Sequence, residues 1–168
     1  MTQSCNASPD EITRAKWPHE IFLLNLVINH ILVFAATFGV FSPFPLMVLI
    51  VLLMSFVITG YISFKAKQVA GSIEVAFVKA HWALANKRNK HFMWLLAATY
   101  AVVGAGFLLY KTMGWSKIAT IALLGGVGLL PFMASFLVLI VLGNDSMQQA
   151  RHSQMPKGNT PPTSDTLA

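Results

Sequence analysis

Residues 21–41 read IFLLNLVINHILVFAATFGVF, 21 positions without one Asp, Glu, Lys or Arg. As a helix rising 1.5 Å per residue, a run of that length crosses about 30 Å of hydrocarbon. Lipid offers no partners to backbone N–H and C=O groups, so the segment must satisfy them internally, as a helix does. Three more runs, 44–64, 92–110 and 118–142, share the absence of formal charge. The sequence therefore predicts an all-α integral membrane protein with four transmembrane helices in two hairpins.

Composition points the same way. The 168-residue chain is 55% hydrophobic and 11% charged, whereas soluble domains carry about 25% charged residues. So little charge leaves too little polar surface to coat a soluble globule. Twelve Lys and Arg against six Asp and Glu give +6, but the basic residues flank the apolar runs. That pattern sets membrane orientation and does not imply a nucleic-acid partner. Segment 65–91 carries Lys65, Lys67, Lys79, Lys87, Arg88 and Lys90 against the lone Glu74, so it is expected to stay cytoplasmic. Arg14 and Lys16 before the first span, and Arg151 and Lys157 after the last, agree.

The expected topology is multi-pass in a cell inner membrane, with both termini cytoplasmic and the short turns 42–45 and 111–117 outside. Trp17, Trp94, Tyr110 and Trp115 fall where an aromatic belt would lie. The first run is long enough to span and has no cleavage pattern after it, so no cleaved signal peptide is expected. Residues 1–16 read as a mostly disordered cytoplasmic tail, 17–143 as the membrane domain, and 144–168, rich in Ser, Thr, Gln, Pro and Asn, as a second disordered tail. Within the cytoplasmic loop 65–91, residues 69–85 predict an amphipathic interfacial helix. Val69, Ile73, Ala76, Phe77, Ala80 and Leu84 share its apolar face, and Lys79 snorkels.

The first span carries the chain's main polar cluster inside a membrane run. Asn25, Asn29, His30 and Thr37, with Val33 and Ala36, fall within an arc of about 140° on one helix face. Polar groups in lipid need partners, so this stripe faces the bundle interior. It predicts either interhelical hydrogen bonds, with Ser55, Thr59, Thr99, Tyr100 or Thr120 opposite, or a binding or proton-handling site.

His30 lacks a second mid-depth histidine to complete an intrachain haem site. His19, His81 and His91 share the cytoplasmic end without the Cys or carboxylate pattern of a metal centre. The single Cys5 excludes an internal disulfide. No metal and no cofactor are expected.

Small residues recur in the later runs. Ala97, Ala101 and Ala105 repeat every four positions, and Gly125, Gly126 and Gly128 precede Pro131. Small stripes let helices approach closely, and Pro131 is expected to kink the fourth span or form a hinge with the glycines.

Absences narrow the function further. No run holds a carboxylate for ion-coupled transport, and no ring of charge suggests an ion pore. No nucleophile–base constellation suggests an enzyme. The expectation is an accessory, assembly or scaffolding subunit, with the lipid bilayer and another membrane protein or a second copy as partners. The alternatives are a transporter or channel for an uncharged or weakly charged solute, and a haem- or quinone-associated subunit using His30.

Overall fold

A computed structural model describes residues 4–33, 45–123, 126–127 and 130–156. Helix α1, Pro9–Leu24, runs directly into a π-helix over Asn25–Val33. Then come α2 (Pro45–Ala70), α3 (Ala76–Thr112), the short α4 (Lys117–Leu123) and α5 (Leu130–Arg151). No strand occurs among the described residues; Ser4 and Gln154 form an isolated antiparallel bridge. Three helices, α2, α3 and α5, are long and apolar enough to cross a membrane, with only 17–22% of their apolar windows buried. Apolar side chains that point outward at this density require lipid around them, which makes the chain a multi-pass membrane protein.

Helix α1 starts at Pro9, within the stretch expected to be a disordered tail. Ser8 caps it: Ser8 Oγ accepts from the Glu11 N–H at 3.3 Å, and Glu11 Oε2 accepts from the Ser8 N–H at 2.7 Å. This capping box satisfies two otherwise orphaned donors. Pro9 occupies the first turn, where its missing N–H costs nothing, and Asp10 and Glu11 favour the positive end of the helix dipole. Residues 34–41 of the expected first span, Thr37 among them, lie outside the described residues, as do 42–44 of the first turn.

The loop expected over 65–91 is mostly helix. α2 runs to Ala70, the chain turns over 71–75, and α3 begins at Ala76. Ser72 organises the turn by donating to the Val69 carbonyl at 2.7 Å and accepting from the Glu74 N–H at 3.3 Å. No separate interfacial helix forms over 69–85. Ile73 and Ala76 of its expected apolar face are exposed, whereas Phe77, Val78, Ala80, His81, Trp82, Ala85 and Asn89 are buried. That face packs on protein. α3 has 37 residues, about 55 Å at the α-helical rise, so it outruns the bilayer. The part expected to span, 92–110, is free of formal charge, whereas Lys79, Lys87 and Arg88 lie in the turns before it.

Within the run 118–142 the described residues are those of α4, 126–127 and α5. Gly126 and Val127 adopt π-helical backbone, while Leu124, Gly125, Gly128 and Leu129 lie outside the described residues. Pro131 lies in α5. The kink or hinge expected at Pro131 turns on residues 124, 125, 128 and 129, which lie outside the described residues. α5 continues through Asn144 to Arg151, into the expected second tail, because Ser146, Gln149 and Ala150 find buried positions. Residues 157–168 lie outside the described residues.

The chain divides into two compact units. One comprises Met1–Asn89 and Ile140–Ala168, the other Lys90–Leu139. In the first unit Ala15, Ala66, Phe77, Val78, Ala80, Trp82, Ala150 and Met155 form a core, with Cys5, Ala7, Ile12 and Val69 packed against it. α5 comes very close to α1 there: a Cβ at Gly143 would lie 2.8 Å from Leu23 Cδ2. In the second unit Phe92, Leu96, Phe136 and Leu139 are buried, and the Phe92 and Phe136 rings lie 6.3 Å apart.

Candidate functional site

One stripe of α2 organises the polar interior of the first unit. Val51, Ser55, Thr59 and Ser63 recur every four residues, which places them on one helix face. The upper two engage the π-helix. Asn29 Nδ2 donates to the Val51 carbonyl at 2.9 Å, and Asn25 Nδ2 donates to Ser55 Oγ at 3.2 Å. Asn29 Nδ2 also reaches Asn25 Oδ1 at 3.1 Å, so the two amides form one network. His30 Nδ1 lies 3.0 Å from the Asn25 carbonyl. A carbonyl only accepts, so Nδ1 carries the proton.

The lower two engage α3. Asn89 Nδ2 donates to the Thr59 carbonyl at 3.1 Å, and Thr59 Oγ1 donates to Asn89 Oδ1 at 3.2 Å. Ser63 Oγ donates to Asn86 Oδ1 at 3.0 Å. Asn25, Ser55 and Asn89 are fully buried, and Asn29 is buried. Each such bond between membrane helices contributes on average about 0.6 kcal/mol, so the ladder aligns the helices more than it strengthens them.

Below the ladder, His19 of α1 meets His81 of α3. His19 Nε2 lies 3.1 Å from His81 Nδ1, with the rings edge to face at 86°, and both residues are fully buried. His81 Nε2 lies 3.1 Å from the Gln154 carbonyl. That carbonyl fixes the tautomers in turn. His81 must donate from Nε2, so its Nδ1 is an acceptor and His19 must donate from Nε2. His19 Nδ1 is left as a buried acceptor without a hydrogen-bond partner among the described residues. Burial, helped by His81 and Arg88, pulls His19 down to about 3. Burial also holds His81 at about 4, against the raising effect of the Gln154 carbonyl. Arg88 donates to the Leu142 carbonyl on α5, and Arg14 bridges Glu74 at 2.6 Å, tying α1 to the 71–75 turn.

No protein-family model, curated protein or solved structure matches this chain. The chemistry of its own residues therefore carries the functional argument. Of the expected cytoplasmic histidines, His19 and His81 come together, while His91 is exposed. No group of three or more His, Cys, Asp or Glu able to hold a metal forms among the described residues.

Ala97, Ala101 and Ala105 are all exposed on α3, and a Cβ at Gly104 would meet nothing within 4 Å. Beside this stripe, His91, Trp94, Leu95, Ala98, Ser135, Val138 and Leu139 line an open groove of about 590 Å³. Gly126 is also exposed.

Composition, periodicity and spacing do not announce the His19–His81 pair or the Asn86 and Asn89 rungs. The hydroxyl spacing Ser55, Thr59, Ser63 is the signal that points to the ladder, and the Ser8-Pro9-Asp10-Glu11 pattern is the signal for α1.

Proposed function

We propose that this chain is an accessory, assembly or scaffolding subunit that joins another membrane protein, or a second copy of itself, through the small-residue face of α3. The observation that carries the reading is the exposure of Ala97, Ala101 and Ala105. Without a hydrophobic driving force between helices in lipid, association relies on close backbone approach, which such a stripe permits. The polar stripe speaks for the same reading, because Asn25 and Asn29 spend their donors on Ser55 and Val51 within the chain.

The topology belongs to this proposal. Ser4 pairs with Gln154, and the Cys5 N–H donates to the Ser153 carbonyl at 2.7 Å. Termini that touch lie on one side of a membrane. With α2, α3 and α5 crossing, an odd number, we read the segment that includes α1 and the π-helix as crossing too, for four spans. The basic residues of α3's first turns support a cytoplasmic reading of that shared side, in a cell with an inner membrane, and the exposed Trp17, Trp94, Tyr110 and Trp115 suit the interfaces.

Purification in mild detergent tests the role. The wild type should bring down a stoichiometric membrane partner or a second copy, and Ala101→Phe should lose it; a monodisperse, partner-free wild type contradicts the proposal. Cysteine labelling from outside, in a Cys5→Ser background, should reach Ser116→Cys and miss Ser72→Cys; the reverse pattern overturns the orientation.

A second reading has one observation in its favour. The residues Asn25, Asn29 and His30 lie in a nine-residue π-helix, and π-helical segments are rare and frequent at functional sites. A transport role would make solute flux in vesicles depend on His30, and flux unchanged by His30→Ala would remove that reading.

A further inference from the structure

The buried histidine pair joins three separate parts of the first unit: α1 through His19, the first turns of α3 through His81, and the segment after α5 through the Gln154 carbonyl. We propose that this chain of hydrogen bonds is a proton-sensitive latch, which holds the C-terminal segment against the N-terminal one and releases it when either imidazole gains a proton. The inference goes beyond the subunit role and does not depend on any partner.

The geometry leaves no room for the extra proton. His81 uses both nitrogens, accepting at Nδ1 and donating at Nε2. A proton at Nδ1 would set donor against donor across the 3.1 Å contact with His19. His19 could take a proton only at Nδ1, which is buried and has no acceptor among the described residues. Phe77 stands 4.8 Å from the His81 ring and offers a new N–H no oxygen.

The surrounding charges make the closed state less tolerant still. Arg88, on α3, adds positive charge near both rings. On α5, Asp145 accepts from Gln149 Nε2 at 2.6 Å, and Arg151 engages Met147 Sδ. On α1, Lys16 pairs with Glu20 at 3.5 Å, and Arg14 is committed to Asp10 and Glu74. On α2, Lys65 donates to Gln68. The same surroundings argue against reading the pair as a metal site, since two imidazoles beside Arg88 find no third ligand among the described residues.

Opening exposes the rings to water, where each regains an ordinary value of about 6.5. The closed latch cannot follow, so lowering the pH from about 7.5 to about 5 favours opening by about 30-fold for each imidazole. Cys5 reports the event. It is the chain's single cysteine, packs against the core beside the latch, and its N–H donates to Ser153, next to Gln154. Release of the C-terminal segment therefore bares its thiol.

The test measures the reaction of Cys5 with a pyridyl disulfide, which stays reactive in acid, on the full chain in detergent. Rates are divided by those of the denatured chain at the same pH. The wild-type ratio should rise at least about tenfold between about pH 7.5 and about pH 5, and the double variant His19→Gln/His81→Gln should lose the rise. A flat wild-type ratio overturns the latch, as does a full rise in a folded double variant. Should the double variant not fold, His19→Gln alone, which keeps a donor toward His81, should reduce the logarithmic rise by about half; an undiminished rise overturns the proposal. Nitrogen-15 spectra of the wild type at neutral pH must show His81 protonated at Nε2 and bare at Nδ1, and the opposite tautomer overturns it.

Discussion

Asn25 Nδ2 and Ser55 Oγ meet at 3.2 Å, and both side chains are fully buried where the π-helix crosses α2. Asn25 also accepts from Asn29 Nδ2 at 3.1 Å, whereas Ser55 has this one side-chain partner among the described residues. Removing Asn25 should therefore cost more than removing Ser55. Detergent-titrated unfolding should show Ser55→Ala losing about 0.6 kcal/mol and Asn25→Ala about 1–2 kcal/mol. The double variant should lose less than the sum, since the two changes remove one shared bond. Strict additivity would mean that the rung does not form.

Stability should depend on pH through the histidine pair. His19 is held at about 3 and His81 at about 4, mainly by burial, while in the unfolded chain each titrates near about 6.5. The folded protein then binds fewer protons than the unfolded one throughout that window. Stability is fully present above about pH 6.5 and is lost as the pH falls toward the folded values. At pH 5 the loss is about 2 kcal/mol for each imidazole. The unfolding midpoint in detergent should be level between about pH 7 and 8 and fall below about 6.5, less steeply in His19→Gln. A midpoint unchanged down to pH 5 would show that the pair is not buried and neutral.

Gly143 is a point of close approach between α5 and α1. An added Cβ would meet Leu23 Cδ2 at 2.8 Å and Leu23 Cγ at 3.3 Å. The first is the end of a flexible side chain, which can move, so Gly143→Ala should cost about 1 kcal/mol or less. Gly143→Leu cannot be absorbed in that way and should cost about 3 kcal/mol or more. Gly104→Ala, where a Cβ would meet nothing within 4 Å, should be neutral in the isolated protein. The three unfolding midpoints, compared side by side, check the ranking; equal costs at Gly143 and Gly104 would contradict the close approach.

Hydropathy reads the membrane character correctly because lipid demands long runs without charge, and α2, α3 and α5 supply them. It misplaces helix ends, because charge marks the end of a bilayer and not the end of a helix. α3 extends past 92–110 toward its start at Ala76 because Phe77, Val78 and Trp82 find a protein core to pack in. The same error turns Pro9–Lys16 into a tail, although Ser8 and Glu11 carry a capping box visible in the sequence.

The candidate site is legible only in part. Ser55 and Thr59 stand among the partners expected for polar groups in lipid, and the structure places Ser55 on Asn25 and Thr59 on Asn89. The pairing of His19 with His81 joins positions 62 residues apart, and no local period encodes so distant a contact. The alanine repeat of α3 is plain in the sequence, but its exposure follows only from how α3 packs.

That exposed stripe supports the proposal that α3 offers Ala97, Ala101 and Ala105 to a partner helix. The most direct measurement is cross-linking in native membranes with a short bis-maleimide, on single cysteines in a Cys5→Ser background. Ala101→Cys and Ala105→Cys should give a discrete adduct of one size, while Phe56→Cys and Val57→Cys, also exposed but on α2, should give none. No adduct at either α3 position, or the same adducts from α2, would contradict the account.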